Sequence, residues 1–293
     1  MIGPTTQAAD QDKCPSPLAW HQVLREFHSQ ADAWFLDRPK YRISGRTLGC
    51  GPPLYLLNGL SATHELYALL VWLLRDRYRC VLFDYAMPAA RGPVTLDDLA
   101  DDLIAVGEAC GDATWDVFAS SFGCLVALSA MRNDPRRIGR AVLQGAFARR
   151  QLSPFERLLI RAGAVVPGKL RHIPLRVFVQ EQSHRRWFPP FDPTRWQFFL
   201  DNSGSVRLAE LAGRSAIVRD CDLRQILPEV CQPILLVRSE GDGRLLERAG
   251  QELAGGLRHS RVESLVGAGP ISFLTHPHRL AKLIGGFLEQ DAP

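Results

Sequence analysis

The chain has 293 residues, 46% hydrophobic and 23% charged, with a formal net charge of +4. That length suits one or two domains with ample chain for a large core, and the balance excludes a disordered or fibrous protein. The longest unbroken apolar run, Leu66 to Leu74, has 9 residues, whereas a membrane-spanning helix needs roughly 20. The polar opening residues lack the apolar stretch of a signal peptide, so a soluble, cytoplasmic protein is expected.

Seven cysteines (Cys14, Cys50, Cys80, Cys110, Cys124, Cys221, Cys231) are odd in number and never form CxxC. That spacing suits neither a zinc site nor a disulfide framework, and buried free thiols are expected, with no metal and no cofactor. The basic residues comprise 31 arginines and 4 lysines. Between Phe147 and Asp220, 13 of them face only 6 acidic residues, a surplus of +7 that leaves the remainder near −3. No nucleic-acid-binding module accompanies these charges, and nucleic acid is not an expected partner.

In chain order, residues 1–16 read as a polar tail. Apolar residues at Leu18, Val23, Leu24, Phe27 and Trp34 then suggest a helix from Pro17 to about Leu36. Short apolar runs bounded by turn residues follow at Leu54–Leu57, Cys80–Phe83, Trp115–Ala119, Ala141–Leu143, Ile234–Val237 and Val262–Leu265, and they read as buried parallel strands. Between them, Thr95 opens a helix with a T-x-x-D capping pattern, and Pro277 stands at the first position of another. Alternating strands and helices predict a mostly parallel, twisted α/β sheet flanked by helices. The alternation breaks between Ala148 and Pro228, a Pro-, Arg- and aromatic-rich stretch that reads as a helical insertion.

The most informative segment is TWDVFASSFGCLVALSAM, Thr114 to Met131. An apolar strand runs directly into Ala119-Ser120-Ser121-Phe122-Gly123 and then a helix. Of all the serines, only Ser121 has a Gly, Ala or Ser both two residues before and two residues after it. Small flanks relieve crowding across a sharp turn that presents the middle hydroxyl, the arrangement of a nucleophile elbow. Cys124, one residue beyond the elbow glycine, reads as a small core residue.

On these residues the chain resembles the α/β-hydrolase family over about residues 41–290. The resemblance implies an α/β-hydrolase core at 41–147 and 229–293, a helical cap at 148–228 and an N-terminal tail and helix at 1–40. PPLYLLNGLSAT (Pro52 to Thr63) is similar to the family's strand and oxyanion loop, which places the Leu60 and Phe122 N–H groups in the oxyanion hole. PILLVRSEGD (Pro233 to Asp242) is similar to the strand and loop that carry the acid, giving Asp242 that role with Glu240 as a less favoured substitute. Ser120, where the family commonly has histidine, is a candidate to line the pocket.

The family's general base is a histidine in a Gly-x-Gly-His loop after the last strand. Here that loop reads Gly267-Ala268-Gly269-Pro270, and proline stands where the base belongs. Candidate substitutes are His64, after the oxyanion loop, and His276, before the last helix; His172, His184 and His278 are weaker, and His21 and His28 belong to the N-terminal helix. Without its base a serine hydrolase typically loses on the order of 10⁶ in turnover. Two functions follow from the resemblance: a hydrolase of a small-molecule carboxylic ester or amide with weak or unorthodox activity, or an inactive relative that binds a small ligand or protein partner through pocket and cap.

Overall fold

The computed structural model describes residues 19–87, 92–190 and 192–290; the polar tail expected at 1–16 lies outside them. Among the described residues eight strands form a single sheet: β1 (Asp32–Arg38), β2 (Tyr41–Leu48), β3 (Pro53–Leu57), β4 (Arg79–Phe83), β5 (Trp115–Ser120), β6 (Ile138–Gln144), β7 (Ile234–Ser239) and β8 (Ser260–Leu265). Their spatial order is β1-β2-β4-β3-β5-β6-β7-β8. All pairings from β4 to β8 are parallel, while β1 and β2 are antiparallel additions at one edge.

The six apolar runs read from the sequence are six of these strands. Their continuous hydrophobicity has a direct cause, since both faces of the sheet are covered. Successive residues of β3 alternate between two cores: Tyr55 and Leu57 enter one and Leu54 and Leu56 the other, and β4 and β5 divide in the same way.

Eleven α-helices accompany the sheet among the described residues: α1 (Trp20–Gln30), α2 (Ala68–Leu74), α3 (Leu96–Ala109), α4 (Phe122–Asn133), α5 (Pro154–Val165), α6 (Arg176–His184), α7 (Pro193–Ser205), α8 (Leu208–Asp220), α9 (Gly243–Gly256), α10 (Ser272–Thr275) and α11 (Pro277–Gln290). Helices α3, α4 and α9 cover one face and α1, α2 and α11 the other. The capping pattern at Thr95 is realised in full: its hydroxyl accepts from the Asp98 N–H, and the Asp98 carboxylate accepts from the Thr95 N–H. None of these helices is long and apolar enough to cross a membrane.

The expected helix from Pro17 to Leu36 is corrected. Helix α1 ends at Gln30, and Asp32–Arg38 is the outer edge strand. Trp34 falls on the helical spacing from Phe27, but its ring lies against Gly45 of β2, where a Cβ would come 2.3 Å from Trp34 Cζ2. An indole covering a strand glycine is a cross-strand contact that helical periodicity imitates.

Between β6 and β7 the chain leaves the sheet to form α5 to α8. Residues of α8 join the core on one face of the sheet and residues of α7 the core on the other. By contrast, α5 and α6 contain no buried residue. The strand order places the loops after β3 and β5 side by side. Connections leave β3 and β5 toward opposite sides, and in open parallel sheets such a switch point, at the carboxyl ends of the strands, opens a crevice.

Candidate active site

Ser121 links β5 to α4 with φ 50° and ψ −110°, outside the regions an ordinary residue occupies. The conformation is held by hydrogen bonds from the Ser121 N–H to Gln144 O (2.9 Å) and from the Cys124 N–H to Ser121 O (3.0 Å). Small neighbours permit the turn. A Cβ on Gly123 would lie 2.5 Å from Leu57 O and 2.8 Å from Asn58 O, so only glycine lets α4 begin against the end of β3. A Cβ on Gly59 would fall 3.5 Å from Ser120 Oγ and 3.8 Å from Ser121 Cβ, which sets the loop after β3 directly against the turn.

The Ser121 side chain is partly exposed, and among the described residues its hydroxyl has no hydrogen-bond partner. The Leu60 and Phe122 N–H groups are likewise without partners there; Phe122 opens α4, where the first turn of a helix leaves its N–H groups free. The loop itself is anchored from behind. The buried Arg214 guanidinium donates from Nη1 to Leu60 O at 3.1 Å and to Ala62 O at 3.4 Å, and Asn58 Nδ2 donates to Phe83 O at 3.1 Å and Asp84 Oδ1 at 2.8 Å.

Ser120, expected to line the pocket, is buried. Its hydroxyl is buried 2.6 Å from Tyr67 Oη, and Tyr67 spends its own proton on Leu57 O at 2.8 Å. Ser120 therefore donates to Tyr67. Cys124 is fully buried in the core, where burial pushes its thiol far above the usual range.

Asp242 ends a short turn after β7. Its Oδ2 accepts from the Ser239 N–H at 2.8 Å, while Oδ1 is buried with no partner among the described residues, facing Gly145, where a Cβ would lie 3.8 Å away. Burial pushes this carboxyl up to about 6. Glu240 instead braces the loop after β8, its Oε2 accepting from the Gly267 N–H at 2.7 Å. On that loop, Pro270 O accepts from Gln144 Nε2 at 3.0 Å, and the same amide lies 3.1 Å from Ser272 Oγ.

One neighbour of this loop has no counterpart in the sequence pattern. Trp187, between α6 and α7, lies against both glycine backbones: a Cβ on Gly269 would come 2.5 Å from Trp187 Cγ, and one on Gly241 2.8 Å from Trp187 Cε2. Its Nε1 is buried and unpartnered among the described residues.

No histidine ring of the described residues hydrogen-bonds Ser121. His64 is engaged with Asp84, Nδ1 to Oδ2 at 2.8 Å, and its Nε2 is buried without a partner. Burial opposes the charged ring, but Asp84 outweighs it and holds the His64 pKa above its ordinary value. His276 precedes α11 with Nδ1 2.9 Å from Thr275 Oγ1, and burial together with Arg279 and Arg195 lowers its pKa. In the insertion, His184 stacks edge-on against Phe199 with ring centroids 5.5 Å apart, and His172 Nδ1 accepts from the Lys169 N–H at 3.4 Å.

This arrangement of strand, turn and loops has a known counterpart, since residues 54–283 match the family model described as the alpha/beta hydrolase family. The chain belongs to that family. A pimeloyl-[acyl-carrier protein] methyl ester esterase of Aromatoleum aromaticum is 30% identical over 248 residues, 80% of this chain and 96% of the relative. Among solved structures, a hydrolase from Pseudomonas aeruginosa superposes with a TM-score of 0.72 at 22% identity, over 88% of this chain and 98% of that one. An esterase from Exiguobacterium antarcticum gives 0.75 at 18% identity, over 88% of this chain and 100% of that one. At these identities the two alpha/beta hydrolase structures bear on the fold alone.

Proposed function

We propose that the chain is a serine hydrolase of carboxylic esters with slow turnover. Ser121 is its nucleophile, the Leu60 and Phe122 N–H groups form its oxyanion hole, and Asp242 is an acid without an imidazole to orient. The observation that carries this reading is the Ser121 hydroxyl, presented from strained backbone and without a hydrogen-bond partner among the described residues, in a turn against which the loop carrying Leu60 is set. Preorganised backbone donors stabilise a tetrahedral intermediate by several kcal/mol and act without the base. The 30% relative, named for hydrolysis of a methyl ester, supports an ester over other substrates.

In the proposed reaction, Ser121 Oγ bonds to the ester carbonyl carbon while its proton passes to solvent, and the carbonyl oxygen takes up negative charge between the two N–H groups. Collapse expels the alcohol, protonated by water, and a second water cleaves the acyl-serine. Pro270 occupies the family's base position and supplies no proton acceptor on its side chain, so the first step is the slow one.

A second reading is favoured by the partnerless Asp242 Oδ1: a disarmed relative that only binds its ligand. The deciding experiment is p-nitrophenyl butyrate hydrolysis by the wild type, Ser121→Ala and Pro270→His, with fluorophosphonate labelling in parallel. We expect slow turnover and labelling that vanish in Ser121→Ala, and at least a tenfold gain in Pro270→His. A silent, unlabelled wild type with activity confined to Pro270→His establishes the binding reading instead.

A further inference from the structure

A groove of about 350 Å³ lies between α5 and α8 and reaches Leu60. That volume falls within the roughly 300–1,000 Å³ of small-molecule sites. Gly163 lets the two helices meet at one point, where a Cβ would come 3.3 Å from Ala212 Cβ; beside that contact the helices part, and Leu159, Ile160, Leu208 and Leu211 line the space. Of all the lining residues only Arg150, Glu156 and Ser215 carry polar side chains. Two of these pair, Arg150 Nη2 to Glu156 Oε1 at 2.8 Å, which leaves no unpaired carboxylate; Arg150 Nε is buried without a partner among the described residues, and the rest of the wall is apolar.

We infer that this groove binds the unbranched acyl chain of the ester, with the chain running from Ser121 past Leu60 between α5 and α8. The inference rests on the reading of Ser121 as the reacting hydroxyl. A strongly polar ligand would leave its water for walls that return few hydrogen bonds, from Arg150 and Ser215 alone. An acyl chain loses nothing polar, and each buried methylene tightens binding about fourfold (about 0.8 kcal/mol). The geometry also fits a chain attached to a carbonyl: Leu60 belongs both to the groove wall and to the loop set against the elbow, and Arg214 fixes its carbonyl on the far side.

The test is displacement of dansylundecanoic acid by saturated C4 to C14 carboxylates, which mimic the acyl product and need no turnover. Expected are one saturable site per chain, affinity rising about fourfold per methylene and then levelling, and at least a tenfold loss in Ala162→Trp, which fills the groove from its exposed rim. Leu245→Trp, on the exposed surface of α9, leaves binding unchanged. Non-saturable binding, or binding equal in Ala162→Trp, overturns the inference. Failure of the nucleophile reading looks different: fluorophosphonate labelling is then absent while chain-length-dependent binding persists, whereas intact labelling without such binding removes the groove alone.

Discussion

Asp242 is a carboxyl with one oxygen satisfied by a backbone N–H and the other buried without a partner. Its pKa near 6 in the folded chain compares with about 3.9 when unfolded. Between roughly pH 4 and pH 6 the folded state holds a proton that the unfolded state has released, so stability falls as pH rises through that window and stays lower above it. Asp242→Asn keeps the acceptor for Ser239 and removes the charge. By denaturant unfolding the variant should match the wild type at pH 4 and exceed it by about 1–2 kcal/mol at pH 7.5; equal stability at both values refutes the assignment. At this scale the elbow was legible, because small residues around Ser121 are a local demand of a sharp turn. The seat of Trp187 on Gly241 and Gly269 was not, since it joins residues far apart in the chain and leaves no periodic trace. A conspicuous signal was available at Gln144, a polar residue ending an apolar strand, whose amide ties β6 to Pro270 and Ser272.

The junction of α4 with β3 is the element-level contact on which the site depends. With Leu57 O only 2.5 Å from where a Cβ would stand on Gly123, Gly123→Ala must push the helix from the strand or bend the loop at Asn58. The expected cost is about 3 kcal/mol or more, which lowers the melting temperature by on the order of 10 °C. Calorimetry checks the first quantity, and a melting point within about 2 °C of wild type would contradict the contact. The parallel strands were readable because both faces are buried and each becomes an unbroken apolar run. The antiparallel pair β1–β2 was missed for the complementary reason. One side of β1 is solvated, Phe35 stands 63% exposed, and β2 interrupts its apolar positions with Arg42, Gly45 and Arg46, leaving no run to detect.

Across the whole molecule, packing is uneven. The sheet and its flanking helices enclose two continuous cores, whereas α5 and α6 bury no residue and leave Phe155 67%, Phe178 59% and Val165 80% exposed. Few buried apolar contacts mean low local opening free energy. Limited trypsin digestion should therefore cut first between Arg157 and Arg186, and mass spectrometry of the earliest fragments should show β3 to β6 intact; a first cut within β3 to β6 would contradict this distribution. The break in alternation between Ala148 and Pro228 marked where the chain leaves the sheet. How the helices of that stretch lie cannot be read from periodicity when α5 and α6 have no buried face to impose one.

Trp187 belongs to the insertion yet rests on the backbones of the loops after β7 and β8, with the Arg186 guanidinium 4.7 Å from its ring centroid. Any displacement of the insertion from those loops must move this indole from glycine backbone into water. The chain thus carries its own optical gauge. The difference in emission between the wild type and Trp187→Phe isolates one of six tryptophans, and a red shift on adding ligand would time the motion of the insertion without any attached dye.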